Sequence, residues 1–216
     1  MVEQWAKRDP RVRTFTLKEI FKTPGKKAAL SFGISQAAHD LLLLTDADCL
    51  PASADWIDLM TSPLRANKSV VLGYGGYIKT SGVLNSVIRF ETTLTAGLFL
   101  GQALAGHPYM GVGRNLAYRK DFFYAQGGFK SHEHIASGDD DLLVNHGANK
   151  NNTAVVLDSK AYTWSRPKTT WRGLFNQKRR HQSAAHFYRT PTKIVLSLYS
   201  GSILLFYLSL LVLGLG

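Results

Sequence analysis

Acidic residues are missing from the C-terminal end of this chain. From Ser159 to Gly216 there is no Asp or Glu, although Lys160, Arg166, Lys168, Arg172, Lys178, Arg179, Arg180, Arg189 and Lys193 all lie there. Cysteine is nearly absent as well. The single Cys49 excludes an intramolecular disulfide and a cysteine-based zinc site, and it agrees with a reducing compartment. No apolar core follows Met1-Val2-Glu3-Gln4-Trp5, so the start does not read as a signal peptide. There is also no glycine-rich phosphate loop and no initial buried strand. For an α/β enzyme the first strands would therefore be missing, and we expect the chain to be a segment of a longer protein.

What is present describes an ordered protein. The 216 residues are 45% hydrophobic and 19% charged, enough for one medium domain with a core. The net charge of +11 gathers in the acid-free stretch. Such a stretch can bind nucleic acid, but here it leads into Ile194–Gly216, which carries no charge at all. As a helix that run spans roughly 30–35 Å, enough to cross a bilayer core. The basic residues before it then read as juxtamembrane and cytoplasmic. The alternative is a buried helix of a soluble protein. We expect a catalytic domain over 1–165, a basic amphipathic interfacial segment over 166–192 and a transmembrane helix over 193–216, with more membrane helices following in the complete protein.

The chain is organised around Leu41-Leu42-Leu43-Leu44-Thr45-Asp46-Ala47-Asp48-Cys49-Leu50-Pro51. Four uninterrupted leucines predict a strand buried on both faces, of the kind found in parallel sheets. Asp46 and Asp48 follow at its carboxyl end, where open α/β sheets place ligands, and alternation puts them on one side. Such a pair suits a hard divalent cation that also takes phosphate oxygens, and so can neutralise a diphosphate leaving group. Turn chemistry or helix capping is the alternative for Asp-x-Asp alone.

Around this centre we predict a helix over Val2–Arg8 and a strand over Val12–Leu17. A turn at Pro24-Gly25 opens a helix to about His39, where Lys26 either meets phosphate oxygens or is simply solvated. A helix is expected over Ala54–Ala66, with Trp56, Ile57, Leu59, Met60 and Leu64 on its apolar side, and a strand over Ser69–Tyr74. Val83–Leu104 is a long apolar helix, too polar at Asn85, Arg89 and Glu91 to span a membrane, and reads as core or interfacial. Gly111 and Gly113 mark a close backbone approach before a strand at Leu116–Arg119, and Gly127-Gly128 caps a helix over 120–126. His132 and His134 can ligate a metal or sit in a solvated loop. Thr153–Leu157 reads as a strand and Thr170–Phe187 as a basic amphipathic helix. Asp139-Asp140-Asp141 is a second acidic cluster. Capping explains one of the three, and mutual repulsion raises a neighbour's pKa, as a general base requires.

In this order the motifs are specific. Gly25-Lys26, Asp46-Ala47-Asp48, Gly113-Arg114-Asn115-Leu116-Ala117-Tyr118-Arg119, Gly127-Gly128-Phe129, Gly138-Asp139-Asp140 and Gln177-x-x-Arg180 together resemble the family 2 glycosyltransferases, over about residues 24–185. The membrane segment fits that family's membrane-associated branch. The resemblance implies an α/β fold of GT-A type, a Rossmann-like mixed sheet flanked by helices. It implies inverting transfer of a sugar from a nucleotide-diphosphate donor to a saccharide or lipid-linked acceptor, in cell-envelope polysaccharide or glycolipid synthesis at a bacterial-type plasma membrane. Asp46 and Asp48 then hold Mg²⁺ or Mn²⁺ and, with Lys26, Gln177 and Arg180, the donor diphosphate. Asp139 is the base, with Asp140 as runner-up. Gly113, Arg114, Asn115 and His181 line the acceptor side. Gly138 stands where many members have Glu, and His181 replaces the family's Trp, which argues against processive acceptor stacking. The family's uridine-binding strand has no counterpart in the chain. Membrane lipids are expected partners and nucleic acid is not. A nucleotidyl transferase of the same fold, an inactive membrane-anchored nucleotide-sugar-binding fragment and a nucleic-acid-binding protein are the competing readings.

Overall fold

A computed structural model describes residues 2–17, 25–135 and 137–214. The turn expected at Pro24 and the last two residues of the expected membrane helix lie outside them. The chain divides into two compact units, Met1–Ala37 and Ala38–Gly216.

In the first unit α1 (Val2–Ala6) is followed by an irregular segment and by α2 (Lys26–Gln36). The strand expected over Val12–Leu17 does not form: residues 12–16 have no regular structure and Leu17 begins a 3-10 turn. The apolar residues there serve helix packing instead. Phe15 meets Phe32 of α2 edge-to-face at 5.2 Å, and Arg13 covers Phe15 at 5.2 Å while donating to the Gln36 carbonyl at 2.9 Å. Lys26 opens α2, whose N-cap, Gly25, is extended.

The second unit holds two small sheets. The four-stranded one has the order β1 (Leu41–Leu44), β5 (Leu116–Arg119), β3 (Val70–Gly73), β6 (Thr153–Val156). The three-stranded one has the order β2 (Cys49–Pro51), β7 (Thr163–Ser165), β4 (Gly75–Tyr77). β3 pairs parallel with β6 and antiparallel with β5, and β7 pairs parallel with β4 and antiparallel with β2.

The leucine strand differs from expectation. β1 is antiparallel to β5, Leu41 facing Arg119 and Leu44 facing Leu116, and every residue is only half-buried. It stands at the end of the sheet order, so among the described residues a strand covers one of its edges only. Leu41 and Leu43 pack toward α3 (Trp56–Arg65), which accounts for half of the apolar run. The strand buried on both faces is β3, where Val70, Val71 and Leu72 are fully enclosed. α3 closes one face of the sheet with Trp56, Met60 and Leu64 against Val71, Ala117 and Ala161. Each such side chain contributes on the order of 1.5–3 kcal/mol by leaving water. Ile57 points away and is exposed. On the other face Leu72 and Leu116 meet Gly111 and Val144 of α6 (Asp141–Gly147).

α4 (Val83–Leu104) has the boundaries read from the sequence, as does β5. α5 (Lys120–Ala125) ends at Gly127 and Gly128, both with positive φ (72° and 64°), as a glycine cap requires. α7 (Trp171–Gln182) is shorter than expected and gives way to a 3-10 turn at Ala185–Phe187 before α8 (Thr190–Gly214). His132 and His134 part company: His132 is buried beside His146, whereas His134 is exposed against Phe187.

Candidate active site

β1 ends at Leu44 and the backbone turns sharply, the Cys49 N–H donating to the Asp46 carbonyl at 3.0 Å. The turn breaks strand alternation. It brings a carboxylate oxygen of Asp46, one of Asp48 and the Cys49 sulfur within 4.8 Å of one another. Asp48 is exposed and Asp46 and Cys49 are half-buried, so the cluster opens to solvent on one side. Two carboxylates with room for waters and phosphate oxygens fit a Mg²⁺- or Mn²⁺-type cation. The sequence reading did not place Cys49 in this cluster; its place next to Asp48 was the available signal.

The loop before β5 joins this turn to the second acidic cluster. Arg114 is held by its backbone, its carbonyl accepting from Thr45 Oγ1 at 3.1 Å and from Thr163 Oγ1 at 3.0 Å. Its guanidinium lies 4.5 Å from the Tyr77 ring centre and within 3.5 Å of Ser165 Oγ, which in turn sits 3.0 Å from the Cys49 sulfur. Gln177 of α7 donates to the Tyr77 hydroxyl at 2.9 Å. Tyr77, Thr163 and Ser165 thus connect the Asp-x-Asp turn, Arg114 and Gln177, and no sequence pattern pointed to them. One residue earlier, the Gly113 N–H donates to Asp140 Oδ2 at 2.6 Å.

Asn115 does a different job from the one expected. It is fully buried, accepting from Trp56 Nε1 at 2.9 Å and donating to the carbonyls of Tyr74 and Ala161 at 2.9 and 2.8 Å. With its amide spent on α3 and two loops, it positions the Arg114 loop and has no face for an acceptor.

The three adjacent aspartates also divide their roles. Asp140 caps α6, its Oδ1 accepting from Asp141 N at 2.9 Å while Oδ2 holds Gly113. Both of its oxygens therefore accept structural hydrogen bonds. Asp141 is buried, with Oδ1 accepting from Leu142 N at 2.8 Å and Oδ2 from the Tyr188 hydroxyl at 2.8 Å. Burial, then the neighbouring Asp140 charge, pushes its carboxyl up to about 7. Asp139 is buried beside them. Burial, then the Asp139 and Asp140 charges, pushes up the phenol of Tyr118 in β5. Gly138 has φ +88°, and a Cβ there would lie 2.5 Å from Leu142 Cδ1. A glutamate at that position would need a different backbone.

Arg180 and His181 are exposed near the end of α7, with Arg180 one turn past Gln177 and on its side of the helix. Lys26 belongs to the first unit.

A search of curated proteins found no match. Among solved structures, the chain is similar to the mannosyltransferase PcManGT from Pyrobaculum calidifontis in complex with GDP-Man and Mn²⁺. The TM-score is 0.54 at 17% identity, over 84% of this chain and 48% of that one. A mycobacterial protein aligns with a TM-score of 0.34 at 11% identity, over 70% of this chain and 47% of its own. The chain thus spans about half the length of the mannosyltransferase, and the likeness is one of fold, a GT-A-like arrangement of mixed sheets flanked by helices. The family model for glycosyl transferase family 2 matches residues 1–126, which include the Asp46–Asp48 turn and the Arg114 loop, while the Asp139 turn and α7 lie beyond it. Matched over more than half of its length, the chain belongs to glycosyl transferase family 2.

Proposed function

We propose that the chain carries the transfer site of an inverting glycosyltransferase that moves a sugar from a nucleotide-diphosphate donor to a saccharide or lipid-linked acceptor. The observation that carries this reading is the pair Gly113–Arg114. These neighbours tie the Asp139–Asp141 turn to the Asp46–Asp48 turn, Gly113 through Asp140 and Arg114 through Thr45, Ser165 and Tyr77. A base and a leaving-group site must lie on either side of one reacting carbon, and that loop sets their spacing.

In this mechanism Asp139 takes the proton of the acceptor hydroxyl as its oxygen bonds to the anomeric carbon. The bond from that carbon to the diphosphate breaks on the opposite side, which gives inversion. Asp46 and Asp48, with Cys49 close by, would hold a divalent cation, Mg²⁺ or Mn²⁺, whose charge neutralises the leaving diphosphate. Arg180 adds positive charge for the phosphates, and Gln177 orients them from α7. Arg114, with Gly113, shapes the acceptor side, and His181 borders it. Gly113 offers its backbone only. The donor class agrees with the GDP-Man bound by the structurally similar mannosyltransferase. We place the site on the cytoplasmic side of a plasma membrane that α8 crosses, with residues 1–165 forming the catalytic part, 166–192 an interfacial segment and 193–216 the anchor. A role in cell-envelope polysaccharide or glycolipid synthesis follows from that setting.

The test is donor turnover by the full-length protein in detergent or vesicles, with Mg²⁺ or Mn²⁺ supplied. Asp139→Asn should lower kcat by about 10²–10⁴-fold with donor KM little changed. Donor binding with no turnover in the wild type would leave a nucleotide-sugar-binding protein. Release of inorganic pyrophosphate from a nucleoside triphosphate and a sugar 1-phosphate, with no transfer from the nucleotide sugar, would indicate a nucleotidyl transferase.

A further inference from the structure

α4 buries one side and leaves another bare. Asn85, Ile88, Ala96, Phe99, Leu100 and Ala103 face inward. Val83, Val87, Phe90 and Leu94 are 73, 39, 66 and 51% exposed. Their spacing of four, three and four residues puts them in one line along the helix. Gly97 and Gly101 continue that line without side chains, and the exposed Leu104 ends it. No position on it is charged. The stripe runs the length of a helix roughly 33 Å long, and contiguous exposed apolar surface of this kind marks an interaction face.

The surroundings of the stripe indicate what covers it. α7 packs beside α4, with Leu174 meeting Ile88 and Leu84, and it exposes Trp171 and Phe175 one turn apart. Glu91, the single acid on α4, is paired with Lys178 of α7. The charges left on the two helices are then all positive: Arg89 on α4, and Arg172, Arg179 and Arg180 on α7. α8 follows in the same unit, a 25-residue helix of mean hydropathy 2.0 with none of it buried. An uncharged stripe flanked by an excess of cations, on a unit that also carries an apolar span, matches an anionic bilayer surface better than a protein partner.

We infer that α4 lies in the plane of the membrane, with Val83, Val87, Phe90 and Leu94 at the headgroup–acyl boundary. The catalytic unit then docks against the bilayer through its own helix as well as hanging from α8. A lipid-linked acceptor would meet the site at a fixed height above the membrane. The inference rests on the reading of α8 as a membrane span.

The experiment uses the full chain in vesicles of phosphatidylcholine and phosphatidylglycerol. In a Cys49→Ser background, Val87→Cys, Phe90→Cys and Leu94→Cys are labelled one at a time with a polarity-sensitive fluorophore. Leu205→Cys on α8 and Asn151→Cys, on an exposed turn, serve as references. A nitroxide attached near the lipid headgroup should cut the α4 signals to roughly half or below, as expected for a helix seated 5–10 Å into the boundary, while aqueous iodide leaves them unchanged. The Asn151 label should behave in the opposite way. Lipid quenching on α8 with iodide quenching on α4 would overturn the inference and leave the span intact. α4 labels shielded from both quenchers would overturn it in favour of a protein cover, such as a second copy. Loss of lipid quenching on α8 as well would remove the membrane reading itself.

Discussion

Three consecutive aspartates look alike on paper and behave as three different groups. Asp140 is a cap and a latch, Asp141 is a buried partner of Tyr188, and Asp139, also buried, is the one we propose as the base. Asp141 carries a measurable consequence. Burial and the charge of Asp140 hold its carboxyl near 7 against the usual 3.8, and its bonds from Tyr188 and Leu142 offset this only in part. Between these values the native state binds a proton that the unfolded chain has released, so stability falls as pH rises through the window and the full penalty applies above it. Asp141→Asn keeps an acceptor, and the Tyr188 hydroxyl can turn to accept from the new amide. The variant should match the wild type near pH 4 and exceed it at pH 8 by on the order of 2–4 kcal/mol. Thermal unfolding in detergent across that range reads the difference. A wild type that grows more stable from pH 4 to 7, with no change on substitution, would rule out the buried acid as a determinant.

At the scale of elements, α7 links the site to its surroundings. Thr170 caps it, accepting from Gly173 N at 3.1 Å; Leu174 seats it on α4, and Gln177 reaches Tyr77. Thr170→Ala should cost about 1 kcal/mol, a fall of roughly 2–4 °C in Tm. Because the cap sets how firmly Gln177 is presented, donor KM should rise several-fold while kcat changes less. A kcat loss at constant KM would place α7 in the chemical step instead. The elements also show how far local pattern reaches. α4 and β5 have the ends read from the sequence, because long apolar periodicity and flanking glycines are local signals. The predicted strand over Val12–Leu17 does not form: Phe15 packs on α2, and among the described residues no strand pairs with this segment. β1 was legible as a strand but not in its pairing, since four leucines report apolar surroundings on average and not which strand lies beside them.

For the whole molecule the main question is attachment. α8 is long enough to cross a bilayer, none of its described residues is buried, and the basic residues before it suit an anionic leaflet. We expect the full chain to stay in the membrane pellet in alkaline carbonate and in high salt. A chain ending at Arg189 should be released by salt, which screens the remaining lysines and arginines. Release of the full chain by carbonate would make α8 a peripheral element.

By itself the sequence determined what short-range physics can determine. Apolar periodicity set α4, β5 and the uncharged C-terminal helix; the break from leucines to Asp46 and Asp48 set a turn of carboxylates at a strand end; and the order of motifs set the family. Tertiary structure decided which groups meet. The bond from Gly113 to Asp140 spans 27 positions, Arg114 reaches Ser165 across 51 and Gln177 reaches Tyr77 across 100. No local spacing encodes such pairs, because they depend on how β7 lies against β4 and α7 against α4. The same packing buries Asn115, encloses Asp139 and Asp141, and leaves one face of α4 bare. Burial is a property of the packed chain, and a residue's chemistry follows its burial.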